Sequence, residues 1–169
     1  MKNIIHCTDL YKDVEVVTNM VADSLFEPKR YGSEAKEFQF IPKGLQETFK
    51  SIVNEAIEID ANSGIFRKPN ANIHYEEFKQ HTGWLCIVAL EDTSVKLCEH
   101  ANGATTFFDV KDDIGNFEAR NCYDTTHWKT VTHIAVKQNE FIFMRPWCWH
   151  ALDAGKLVQV FALNYIVSQ

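Results

Sequence analysis

Apolar side chains return at helical intervals near the start of the chain: Val14, Val17, Val21 and Leu25 share one face between positions 11 and 26, with Thr8 or Asp9 available as an N-cap. A polar, charged loop is expected around 28–36, then a short strand over 37–41. Pro42 and Gly44 mark the entry to a second helix, whose apolar face of Leu45, Phe49, Ile52, Val53, Ala56 and Ile57 runs to about position 58. Both stripes are read as core.

From Asn62-Ser63-Gly64 the period changes. Short β-rich runs are predicted over 65–67, 72–78, 84–91, 95–99, 105–110, 130–136, 140–144, 149–152 and 157–167, parted by turn signals such as Asp92-Thr93-Ser94, Asn102-Gly103 and Ala154-Gly155. Many short strands without helices between them imply a sandwich or barrel. The fold class is therefore α+β, mainly β, in one domain over 1–169 with a helical part of about 1–60. The polar stretch 111–126 is long for a hairpin connection and reads either as a lid or substrate loop or as a solvated insertion.

Composition narrows the setting. A hydrophobic content of 46% in 169 residues supports a substantial core. The net charge of -6 argues against bulk coating of nucleic acid or of an anionic membrane. No apolar run approaches a membrane span and the N-terminus turns polar too early for a signal peptide, so a soluble, cytoplasmic protein is expected. The five cysteines are scattered without a CxxC pair and read as small buried hydrophobes. There is no GxSxG, no glycine-rich phosphate loop and no zinc-type Cys/His spacing.

The chemistry lies in two distant segments. In Asn72-Ile73-His74-Tyr75-Glu76-Glu77-Phe78, His74 and Glu76 are two apart in a β-like run, so they leave one face and can converge, while Tyr75 points the other way. Arg145-Pro146-Trp147-Cys148-Trp149-His150 adds a second imidazole at the end of another strand. Two histidines and one carboxylate form the facial triad of non-heme Fe(II) oxygenases, which leaves coordination positions open. Cys148, two before His150, shares its face and is expected to pack there; His81 is a candidate outer partner or a surface residue. Trp84, Trp147 and Trp149 near these segments are read as core aromatics.

The order His-x-Glu followed by a distal His resembles the 2-oxoglutarate/Fe(II) dioxygenase superfamily. The phrases RKPNANIHYEEF, GWLCIVALED, NEFIFMRPWCWH and LVQVFALN are similar to its small members, found largely in viral and marine microbial genomes. The resemblance implies a double-stranded β-helix, the cupin-like jelly roll, with two preceding helices braced on one sheet. It implies His74, Glu76 and His150 as metal ligands and catalytic centre, and Fe(II) and 2-oxoglutarate as cofactors. Glu76 stands where Asp is more usual, as it does in some families of the group.

The chain departs from the family at the cation that meets the far carboxylate of 2-oxoglutarate. The usual Arg would fall near position 160, which is Val. Lys156 is the first substitute, expected to point its ammonium into the barrel from a Gly-Lys pair resembling the family's Gly-x-Arg; Lys96 is second, Arg145 third and Arg67 a further option. The expected function is hydroxylation of an unidentified substrate, small or macromolecular. The rivals are a jelly roll that only binds or builds, and a cupin-type metalloenzyme that uses no keto-acid.

Overall fold

The computed structural model describes residues 4–167; the outermost ends of the expected 1–169 domain lie outside the described residues. In chain order the strands are β1 (Ile4–Cys7), β2 (Phe26–Lys29), β3 (Gly32–Gln39), β4 (Ile57–Ile59), β5 (Ile65–Pro69), β6 (Thr82–Ala89), β7 (Thr93–His100), β8 (Trp128–Val136), β9 (Phe141–Met144), β10 (His150–Leu152) and β11 (Val158–Tyr165). The helices are α1 (Val14–Asn19), α2 (Leu45–Val53) and α3 (Ile114–Asn121).

Two antiparallel sheets face each other in a double-stranded β-helix. The large sheet runs β1-β9-β6-β11-β5-β3-β2, with β4 also on β11, and the small sheet runs β10-β7-β8. Alternation divides β6 between two cores. Trp84, Cys86 and Val88 face α1 and α2 and join Val17, Val21, Phe49, Phe143 and Phe161, whereas Leu85, Ile87 and Ala89 face the small sheet and join Val95, Ile142, Leu152 and Val160. The two early helices therefore brace the outer face of the large sheet, and the inner core fills the space between the sheets. No helix among the described residues is long and apolar enough to cross a membrane.

Several elements differ from the sequence expectation, each for a local reason. The first helix covers only Val14–Asn19 and is capped by Asp13, whose carboxylate accepts from the Val16 N–H; beyond it the chain turns, and Leu25 is exposed. The second helix stops at Asn54, which takes a left-handed conformation (φ 56°), and the expected end of that helix becomes β4 instead. The expected polar loop after the first helix is the β2–β3 hairpin.

Two expected strands are reduced to single bridges, His74 with His150 and Thr106 with Cys148. At the second, the Asp109 carboxylate accepts from the backbone N–H groups of Thr105 and Thr106 and winds the following residues, Phe107–Asp109, into a 3₁₀ turn. The stretch expected as a loop contains α3, which buries Phe117 against an aromatic cluster that includes Tyr75, Trp128 and Trp149.

Candidate metal centre

The site stands where the small sheet gains one more paired residue. The His74 N–H donates to the His150 carbonyl (2.9 Å) and the His150 N–H returns a bond to the His74 carbonyl (2.8 Å). Residues so paired in antiparallel chains project their side chains to the same side. The two imidazole centroids are 4.4 Å apart. Two residues on, the Glu76 N–H donates to the Pro146 carbonyl (2.8 Å), which keeps the segment extended and returns the Glu76 side chain to the face of His74. His74, Glu76 and His150 thus converge as expected, with one ligand atom from each lying within 4.8 Å of the others.

Each of the three is oriented by a second bond. His74 Nδ1–H donates to the Asn72 carbonyl (2.9 Å), and His150 Nδ1–H donates to the Cys148 carbonyl (2.8 Å). These bonds assign both tautomers, so each Nε2 carries a lone pair toward the common point. Glu76 Oε1 accepts from Arg67 Nη2 at 2.6 Å, leaving Oε2 as the inner oxygen, 3.6 Å from His74 Nε2.

The three inner atoms, His74 Nε2, Glu76 Oε2 and His150 Nε2, are buried and find no hydrogen-bond partner among the described residues. Buried acceptors are rarely left unsatisfied, and three facing one another repel unless a positive charge lies between them. The donor set of two imidazoles and one carboxylate suits a first-row divalent ion with open positions. These residues fit a metal.

The local electrostatics point the same way. Burial alone would raise the Glu76 carboxyl, but the charge and hydrogen bond of Arg67, with the neighbouring His74, outweigh it and hold the group well below the usual carboxylate range. Burial, then the neighbouring His74, push the His150 imidazole down to about 3, so the ring is neutral and able to ligate at ordinary pH. Arg67 is itself buried. It lies on β5 opposite Glu34 of β3, which it holds at 3.2 Å, and so links the two carboxylates.

Two cavities flank the triad. One, about 410 Å³, lies at the mouth of the inter-sheet space; its walls include Ile65, Leu85, Val160 and Ala162, with Arg67 and Glu76 among its polar residues and Asp60, Ser63, Lys79 and Thr82 lining it too. Asp60 is held down to about 2 by the Asn62 backbone N–H, then by Lys79 and Asn164. The other, about 280 Å³, borders His74 and is lined by Tyr31, Arg30, Asn72, Glu118 and Cys122 among others.

The expected anchors of a keto-acid are not in the first cavity. Lys156 and Lys96 are both exposed: Gly155 adopts a left-handed turn (φ 76°) that leaves Lys156 outside the barrel, and Lys96 alternates with the inward Val95 and so takes the solvent face. Both expectations are corrected by this placement. Arg145 is buried elsewhere, stacked 3.7 Å over the Trp84 ring with its Nη1 donating to the Gly83 carbonyl and Tyr165 hydroxyl. Of the four candidates Arg67 alone lines the cavity.

The supporting groups Arg67, Glu34 and Tyr31 were not legible as a unit, because their meeting depends on the register of β3 on β5; the one signal was Arg67 lying in the same phrase as His74. Cys148 packs with the inter-sheet core, as expected, and Trp84 and Trp149 are core aromatics.

No protein-family profile matches the chain, and neither does any protein of curated function. Among solved structures it is similar to HygX from Streptomyces hygroscopicus, determined with nickel and 2-oxoglutarate (TM-score 0.58) and with nickel, 2-oxoglutarate and hygromycin B (TM-score 0.57). Each likeness covers 96% of this chain and 83% of the other at 7% identity. At that identity the likeness is one of fold, and it shows that this chain shares the β-helix architecture of HygX.

Proposed function

We propose that this protein is an Fe(II)- and 2-oxoglutarate-dependent oxygenase of the dioxygenase superfamily. The observation that carries the reading is the set of three buried, unpartnered donor atoms of His74, Glu76 and His150 beside a cavity that holds a buried guanidinium. The binding of nickel and 2-oxoglutarate by HygX supports it.

Fe(II) held by the triad, with 2-oxoglutarate as co-substrate, would supply the activation of O2 and the oxidising power for substrate hydroxylation. The chain's own contribution is geometric and electrostatic. The Asn72 and Cys148 carbonyls fix the imidazoles, and Arg67 turns one oxygen of Glu76 outward and presents the other to the metal. Ile65, Leu85, Val160 and Ala162 wall the cavity with apolar surface. Arg67 brings to it the buried positive charge that a dicarboxylate needs.

The experiment is turnover of 2-oxoglutarate to succinate by Fe(II)-reconstituted protein, with O2 consumption, in wild type and His150→Ala. The expected result is slow, Fe(II)-dependent conversion by wild type even without a hydroxylation substrate, and none by the variant. Conversion unchanged by the substitution would overturn the reading.

One observation favours a second reading. Arg67 is already committed to Glu34 and Glu76, and Lys156 and Lys96 are exposed, an arrangement suited to a cupin-type metalloenzyme without a keto-acid. Metal-dependent activity indifferent to 2-oxoglutarate would select it.

A further inference from the structure

The triad accounts for three of the buried polar atoms that lack a partner among the described residues; the Tyr31 hydroxyl is another, carried on a ring that packs against His74. Tyr31 forms the β2–β3 turn with Arg30, and its ring stacks on the His74 imidazole with centroids 4.6 Å apart and planes inclined by 24°. The guanidinium carbon of Arg67 lies 5.3 Å from the Tyr31 ring centre, so the phenol touches both a metal-ligand candidate and the residue that orients Glu76. It is 8% exposed.

The turn is fastened where it stands. Gly32, at φ 137°, brings the hairpin so close to β5 that a Cβ there would lie 2.4 Å from the Lys68 carbonyl oxygen and 2.7 Å from the Pro69 Cα. On its other side Arg30 reaches Glu77 (2.6 Å) and both oxygens of Glu118 on α3 (2.5 and 2.6 Å). Two independent ties thus hold Tyr31 over the site, in the wall of the 280 Å³ cavity.

A phenylalanine would provide the same stacking surface. The hydroxyl adds only a donor, and a buried donor is retained where something accepts from it. We infer that Tyr31 is a ligand-binding residue of this site, its hydroxyl donating a hydrogen bond to an oxygen of the 2-oxo acid chelated at the metal. The inference rests on the oxygenase reading above.

The test compares wild type with Tyr31→Phe, which keeps the ring. Mn(II) affinity is followed by electron paramagnetic resonance, and 2-oxoglutarate is then titrated calorimetrically into the Mn(II)-loaded proteins. The expected result is unchanged Mn(II) affinity with 2-oxoglutarate bound about 10-fold more weakly by the variant, the size of one lost hydrogen bond to a charged acceptor. Equal 2-oxoglutarate affinity in the two proteins overturns the assignment and leaves the oxygenase reading intact. Loss of Mn(II) affinity in the variant also overturns it, since Tyr31 would then be a packing support for His74. A wild-type protein that takes up Mn(II) but no 2-oxoglutarate overturns the oxygenase reading and this inference together.

Discussion

Glu76 has two oxygens in two different environments, and that division decides what the site can do. Oε1 is bound by Arg67 and Oε2 is left to the two imidazoles. Removing Arg67 should therefore act on stability before it acts on chemistry. Arg67→Met leaves two carboxylates without their cation, one of them buried, and should destabilise the metal-free protein by about 3–5 kcal/mol, measured by denaturant unfolding. Added Mn(II) should restore part of that loss, because the ion brings positive charge back beside Glu76. His74→Ala, by contrast, should abolish metal binding in calorimetry while the far-ultraviolet circular dichroism stays that of the wild type, since the ring lies at the barrel mouth, outside both main cores. At this scale the triad was legible because alternation in an extended run needs only a spacing of two. The carboxylate anchor was not, since Gly155-Lys156 carries a family likeness while its turn puts the side chain in solvent.

Among the elements, α2 is tied to the sheet by aromatic packing. Phe49 is fully buried and meets Phe143 and Phe161 edge-on at 5.1 and 5.5 Å. Phe49→Ala should cost about 3–5 kcal/mol in equilibrium unfolding. A loss below 1 kcal/mol would mean that the helix is not braced on the sheet as described. The helix was legible from its stripe, as was the inner and outer alternation of β6. The β2–β3 hairpin was hidden by its composition: Phe26 to Gln39 is largely polar, and it is held by pairing with β5 and by the Arg30 ion pairs, with only Phe26, Ala35 and Phe38 of its described residues packed on the outer core. α3 was hidden too, because Gly115 and two asparagines lower helix propensity, and what compensates is tertiary: the burial of Phe117 and Asn121 and the Arg30–Glu118 ion pair.

For the whole molecule, the two sheets bring residues from β5, the 72–78 segment and β10 to one end of the inter-sheet space, and this closure makes the fold sensitive to pH when metal is absent. The His150 ring is pushed down to about 3 from 6.5, so as pH falls through 6.5 the unfolded chain takes up a proton that the folded one refuses. Stability then declines from about pH 6.5 toward 3, and Glu76, held below its ordinary 4.5, adds to the decline under that value. The thermal midpoint of metal-free protein should be lower at pH 5 than at pH 7, and His150→Ala should shrink the difference. A midpoint unchanged between those values would contradict the burial of a neutral His150.

The shared end of the two sheets is also where the central claim is decided. Crystals soaked anaerobically with Mn(II) and 2-oxoglutarate, measured for anomalous scattering, should show one strong Mn(II) peak in contact with His74 Nε2, Glu76 Oε2 and His150 Nε2. The keto-acid should chelate that ion and extend into the cavity beside Arg67. A peak away from these atoms, or a metal-filled triad with 2-oxoglutarate bound elsewhere or not at all, would contradict the account.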